Sequence, residues 1–243
     1  MRVRGYAAGT PCWVDVSSPD PVATQRFYGT LFGWSTAESS ARRTPFRLGD
    51  LAVAGMRRNE PAQWLTYFAT DDLATTAKAV AAAGGAVLQG PTVVGVEGQA
   101  ALFADPAGAA FAGWERGAFC GAQVTNEPNA VCWHELATPD IEGARAFYGQ
   151  VFGWAEGPGE WQTEHGSVAG IVTMDNQHVR AMWTVCFMVS DCAAAAARAV
   201  ELGGRVVAGP RDQPGGRVAQ LADQCGARFT VIELPPEIAA TLR

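Results

Sequence analysis

Residues 12–34 read CWVDVSSPDPVATQRFYGTLFGW, and residues 132–154 read CWHELATPDIEGARAFYGQVFGW. The register holds at 120 residues without a gap, with Cys12/Cys132, Trp13/Trp133, Pro19/Pro139, Asp20/Asp140, Phe27-Tyr28-Gly29/Phe147-Tyr148-Gly149 and the Phe-Gly-Trp endings identical. Farther along, Trp64, Phe68, Asp72, Gly84-Gly85 and Gly90-Pro91 recur 119 residues later as Trp183, Phe187, Asp191, Gly203-Gly204 and Gly209-Pro210. A repeat of this length predicts two like domains, residues 1–118 and 129–243, joined by a mixed polar and Gly stretch over 117–130.

Each copy divides again into two strand-helix-strand units. Cys12–Ser17 alternates as a strand, Asp20 is placed to N-cap a helix, and Pro21 sits at its first turn, where a missing N–H costs nothing. Ala23, Phe27 and Leu31 form an apolar stripe, and Gly33 supplies a left-handed stop; Asp140, Phe147, Val151 and Gly153 repeat the pattern. Short strands are expected near 34–38, 44–49 and 51–57. The second half-unit starts at Trp64–Thr70, continues as a helix from Asp72 to Ala83, and ends in strands near 86–89, 99–104 and 109–115. Its copy runs Trp183–Ser190, Cys192–Leu202, and strands near 205–208, 217–222 and 227–233.

The composition, 48% hydrophobic and 17% charged, is that of a soluble globular chain with apolar mass for two cores. A net charge of −6 argues against nucleic acid, which needs clustered Lys and Arg. No apolar run is long enough to span a bilayer, and MRVRGYAAGTPCW lacks a secretory apolar core, so a cytoplasmic location is expected. The six cysteines form neither C-x-x-C nor zinc spacings and read as reduced thiols.

The order strand, capped helix with F-Y-x-x-x-F-G-W, three strands, second strand and helix, then the D-P-x-G turn at Asp105–Gly108 and its variant at Asp223–Gly226, resembles the vicinal oxygen chelate superfamily. That superfamily includes glyoxalase I, extradiol dioxygenases, fosfomycin-modifying enzymes and bleomycin-resistance proteins. The starts Trp13-x-Asp15 and Trp133-x-Glu135 are similar to its tandem, two-module actinobacterial branch. The resemblance implies an α+β fold: two tandem glyoxalase-like modules, each a pair of βαβββ units whose curved mixed sheet encloses a cavity, with helices outside. Metal-dependent members hold a divalent ion with His, Gln or Glu from the first and last strand of each unit. Aligned on this chain, those positions are Trp13, Leu65, Ala112 and the region of Gly55, then Trp133, Thr184, Thr230 and the region of Gly170. None is a plausible metal ligand, and no metal or other cofactor is expected. His134, Glu115 and Glu233 lie near these positions but fall on the opposite strand face by parity. His165 and His178 sit in turn-like contexts.

Parity instead directs Trp13, Asp15, Leu65, Tyr67 and Ala112 into one cavity, and Trp133, Glu135, Thr184, Cys186 and Thr230 into the other. Such walls suit a small aromatic or amphiphilic molecule. Asp15 and Glu135 are the catalytic candidates, since a carboxylate in an enclosed apolar wall has a raised pKa and serves proton transfer or cation binding. The expected function is metal-independent binding of a natural product, in the manner of antibiotic sequestration and resistance. The alternative is a metal-independent tailoring isomerase, lyase or cyclase using a cavity carboxylate, and a third reading is a metal-dependent dioxygenase or lyase. The expected partner is a small molecule and neither nucleic acid nor membrane, in a monomer or homodimer.

Overall fold

A computed structural model describes residues 1–36, 43–164, 166–174 and 180–241. Positions 37–38 of the first expected strand, and both His165 and His178, lie outside the described residues. The first sheet is built from β1 (Pro11–Ser18), β2 (Ser35–Thr36), β3 (Arg43–Leu48), β4 (Leu51–Arg58), β5 (Gln63–Thr70), β6 (Ala86–Val94), β7 (Gly98–Ala104) and β8 (Ala110–Arg116). Helix α1 (Pro21–Phe32) follows β1, and α2 (Leu73–Ala82) follows β5. The second sheet repeats this with β9 (Val131–Thr138), α3 (Ile141–Phe152), β10 (Ala155–Gly157), β11 (Glu160–Thr163), β12 (Gly166–Thr173), β13 (Met182–Met188), α4 (Cys192–Glu201), β14 (Arg205–Gln213), β15 (Gly216–Ala222) and β16 (Arg228–Glu233). A short helix, α5 (Pro236–Thr241), was not foreseen.

Both sheets are eight-stranded, curved and open, in the orders β2-β3-β4-β1-β5-β8-β7-β6 and β10-β11-β12-β9-β13-β16-β15-β14. The opening strands of the two half-units meet antiparallel at the centre, β1 on β5 and β9 on β13. The helix ends follow their capping chemistry. Asp20 accepts from the Ala23 N–H and Asp140 from the Gly143 N–H, while Gly33 and Gly153 close the helices at φ +69° and +71°. Two strands outrun the sequence reading: β6 and β14 continue through Gly90-Pro91 and Gly209-Pro210, absorbing them as register shifts. No helix among the described residues is long and apolar enough to cross a membrane.

The helices lie on the backs of the sheets, away from the concave faces, each keeping one face exposed and burying its apolar stripe among residues of both modules. One core joins Phe27, Tyr28 and Phe32 of α1 to Phe187, Ala196 and Phe229 of the second module; the other joins Phe68, Leu73 and Phe111 to Phe147, Tyr148 and Trp161. The repeated motif residues make the crossing specific. Trp64 donates to Tyr28 Oη at 2.9 Å, and Tyr28 donates across the interface to Asp223 at 3.1 Å. The second copy runs from Trp183 to Tyr148 at 2.8 Å and on to Asp105 at 3.1 Å. Trp34 and Trp154 likewise donate to Asn129 O and Gly9 O of the other copy, at 2.7 and 2.8 Å.

Both tyrosines are fully buried. Tyr28→Phe leaves the Trp64 N–H without an acceptor and removes one donor from Asp223, and should cost about 1–3 kcal/mol of stability; Tyr148→Phe should cost the same. Urea denaturation followed by tryptophan fluorescence measures this, and losses below about 0.5 kcal/mol in both variants would show that the chains are energetically idle.

Candidate functional site

The concave faces carry the functional candidates in two register levels. In the second module, Glu135 stands opposite Thr184 on β13 and Gly170 on β12. At the next level Trp133 stands opposite Cys186, and Cys186 is followed by Thr230 on β16 and Gln220 on β15. All six side chains line a cavity of about 1010 Å³. Val168, Val172 and Met174 bound one flank, and Arg211, Ile232 and Ile238 the other. Tyr6, Thr10 and Pro11 from the start of the chain, with Thr125 and Asn126 from the connection, close one end. Gly170 makes room for the wall, since a Cβ there would stand 2.9 Å from Trp133 Nε1.

Glu135 is half-buried, and among the described residues no donor hydrogen-bonds its carboxylate. Burial pushes its pKa above the usual carboxylate range, and the charge of Arg211 pulls it back in part. Trp133 Nε1 is likewise without a partner among the described residues. Beside them, the Cys132 thiol donates to Cys186 O at 3.5 Å. The Cys186 thiol is held well above its ordinary pKa, first by its contact with Cys132 and then by burial.

The first module has the same residue levels and a different outcome. Trp13, Asp15, Leu65, Tyr67 and Ala112 face the concave side, as parity requires, but all are buried within the chain itself. Asp15, 0% exposed, accepts from Trp13 Nε1 at 2.7 Å and Tyr67 Oη at 2.8 Å, and pairs with Arg43 at 2.7 Å. The Arg43 guanidinium lies 5.3 Å from the Tyr67 ring centre and 6.0 Å from that of Trp114. The connection then covers this face. Phe119 packs edge-on against Trp13 at 4.9 Å, Trp114 donates to Phe119 O, and the Ala122 N–H donates to Cys12 O at 2.8 Å. Gly121, at φ +123°, permits that approach, because a Cβ would come within 2.3 Å of Cys12 O.

His134 turns to the back of its sheet and meets Thr66 Oγ1 of the other module at 3.2 Å. Glu115 and Glu233 also lie on the back, accepting from the first N–H groups of α2 and α4, Leu73 and Cys192, at 2.9 Å each. Among the described residues no three His, Cys, Asp or Glu side chains converge as a metal site. The residues expected from the resemblance to stand at metal positions, Trp133, Thr184, Thr230 and the region of Gly170, meet on neighbouring strands of the cavity wall, and as a donor set they do not fit a transition metal. Sequence reasoning missed Gln220, Arg211 and Tyr6. Gln220 was within reach by counting back from Asp223 through the β15–β16 hairpin, whereas Arg211 and Tyr6 carry no local signal.

Paired βαβββ units, joined edge to edge around a concave wall, define a vicinal oxygen chelate module, here present twice. The chain belongs to the glyoxalase-like domain family, whose model matches residues 13–112 and again 131–232. It is 40% identical over 262 aligned positions to the anthracycline biosynthesis protein DnrV of Streptomyces peucetius, covering 94% of both chains. Two solved structures share the fold. One is a Mn(II)-bound glyoxalase from Novosphingobium aromaticivorans (TM-score 0.67, 18% identity, 94% of this chain and 83% of that one). The other is the 2,3-dioxygenase LapB from Pseudomonas sp. KL28 (TM-score 0.67, 15% identity, 93% of each).

Two variants test the site's electrostatics. Asp15→Asn should destabilise the fold by about 2 kcal/mol, below the ~3–5 expected for a fully buried pair because Arg43 keeps some solvent. Burial lowers the His134 pKa from 6.5 to about 3, so between those values the unfolded chain binds a proton that the folded chain refuses. Stability should therefore fall as pH drops through this window, by up to about 1.4 kcal/mol per pH unit from this group. His134→Val, the residue type at Val14, should flatten that part of the stability–pH curve; an unchanged slope would place the acid sensitivity elsewhere.

Proposed function

We propose that the second module binds and holds a polycyclic aromatic natural product without a metal ion, while the first module serves as its scaffold. One observation carries this reading: the same strand, repeated, ends in a saturated, self-filled face around Asp15 and in an open cavity around Trp133 and Glu135. The cavity volume of about 1010 Å³ is at the upper end of small-molecule sites, and its wall combines apolar side chains with a few polar groups. The resemblance to an anthracycline biosynthesis protein over nearly the whole chain supports a ligand from that chemistry. Holding such a molecule sequesters it from the rest of the cell, which is the link to resistance.

A second reading, a metal-independent tailoring enzyme, is favoured by the Glu135 carboxylate alone. Half-buried, lacking donors among the described residues and raised in pKa, it meets the requirements of a general acid or base. Cys186 is a poorer candidate, since its thiol is held protonated.

Titration with a neutral anthracycline aglycone, followed by tryptophan fluorescence and calorimetry, tests the first reading. One molecule should bind per chain, unaffected by EDTA dialysis, and Trp133→Ala should weaken binding by about 10-fold or more. Two equivalents per chain would overturn the scaffold role of the first module, and loss of binding on chelation would overturn metal independence. If the enzyme reading holds, Glu135→Gln should lower turnover of pathway intermediates by about 10²-fold, as general acid–base catalysis contributes.

A further inference from the structure

The two modules differ at the place where a positive charge would sit. In the first, Asp15 is satisfied by a cation supplied from the chain, the Arg43 guanidinium, which lies over the Tyr67 and Trp114 rings. A second arginine, Arg57, pairs with Arg43 across β3 and β4. The equivalent strands of the second module align through Phe46 opposite Ala54 and Trp161 opposite Ala169, each just before the glycine beside the carboxylate. Three residues back from Phe46 is Arg43; three back from Trp161 is Pro158. Three residues after Ala54 is Arg57; three after Ala169 is Val172, which lines the cavity. The second module therefore keeps the carboxylate and an aromatic ring beside it while lacking both arginines.

The charged groups left on this wall are unequal. Arg211 is exposed on β14, and its guanidinium lies 3.1 Å from the Gln213 side-chain amide, whose oxygen accepts from it once the amide is turned to face it. Glu135 is half-buried with no hydrogen-bond donor among the described residues, opposite Thr184 and beside Trp133. A carboxylate withdrawn from water into an apolar wall costs free energy until a donor, best a charged one, reaches it. From this contrast, and resting on the binding function proposed above, we infer that the second-module cavity selects ligands that carry a protonated amine on an apolar polycyclic body. Glu135 is the counter-ion, and the ligand's ammonium takes the place that Arg43 occupies in the first module. Trp133 supplies the adjoining ring for the cation, as Tyr67 and Trp114 do for Arg43.

The experiment compares two anthracycline probes with one ring system: an aminoglycosylated compound and its neutral aglycone. A third probe with the amine acetylated separates the charge from the bulk of the sugar. On the wild-type chain at neutral pH the amine form should bind at least about 10-fold more tightly than either neutral form. In Glu135→Gln that ratio should fall to within about two-fold of one, and in Asp15→Asn, whose fold is checked by circular dichroism, the preference should persist. Equal wild-type affinities for the amine and acetylated forms would overturn the inference while leaving aromatic binding intact. So would a preference that survives in Glu135→Gln. Failure of all three probes to bind would remove the inference and the proposed function together.

Discussion

The crossed hydrogen bonds of Tyr28 and Tyr148 are the constraint on which the rest of this structure hangs. Each hydroxyl accepts from a tryptophan of its own module and donates to a carboxylate in the D-x-x-G turn of the other. Neither module can satisfy these groups alone, and each has a helix stripe of aromatic residues whose burial the other module completes. A fully buried tyrosine without its partners would cost on the order of the hydrogen bonds it forfeits, so the two sheets are held back to back with their concave faces outward. The reason that the F-Y-x-x-x-F-G-W and D-x-x-G elements occur in both copies is mechanical: they are the two halves of one joint, used twice.

Because this joint fixes the backs of the sheets, the concave faces are released to differ. On the first, the connection between modules lays Phe119 and Ala122 over Trp13 and Cys12, and Arg43 neutralises Asp15. On the second, Tyr67 is replaced by the smaller Cys186, the longer Glu135 replaces Asp15, and the strand β9 alternates buried and half-exposed residues where β1 is buried on both faces. The chain start contributes Tyr6, Thr10 and Pro11 to the rim of the second cavity, so the first module helps to build the site it does not itself contain.

Much of this was legible in the sequence, and the remainder was hidden for identifiable reasons. The repeat, the Asp20 and Asp140 caps, the glycine stops and the strand parity are local, and they placed Trp133, Glu135, Thr184, Cys186 and Thr230 on the wall that the structure shows. Parity also turned His134, Glu115 and Glu233 to the back, where they hold Thr66 and two helix starts. It could not tell that the Asp15 face is filled, because its partners come from β3, from β8 and from a connection with no periodicity. Nor could the apolar stripes reveal which sheet would cover them; a helix face packed on its own module reads the same as one packed between two. The lengths of β6 and β14 were concealed by Gly-Pro pairs that ordinarily mark turns and here sit within bulged strands.

The exchange of Asp15 with Arg43 for Glu135 with Pro158 is best understood as one change and not two. A carboxylate on an apolar wall persists only if something compensates its desolvation, and in the first module the compensation is covalently attached. Removing the arginine without removing the acid leaves an uncompensated group, a type of fault that folded proteins ordinarily carry only where it serves a function. The other compensations open to Glu135 are weak: Arg211 makes no ion pair with it, Thr184 does not hydrogen-bond it, and burial has already raised its pKa. Among the described residues the wall offers no imidazole to share a metal with it, since His134 is committed to Thr66 on the reverse of the sheet. None of the described residues supplies the ion pair that Arg43 gives Asp15, and the carboxylate faces a cavity of about 1010 Å³, the geometry on which the proposed amine-bearing ligand rests.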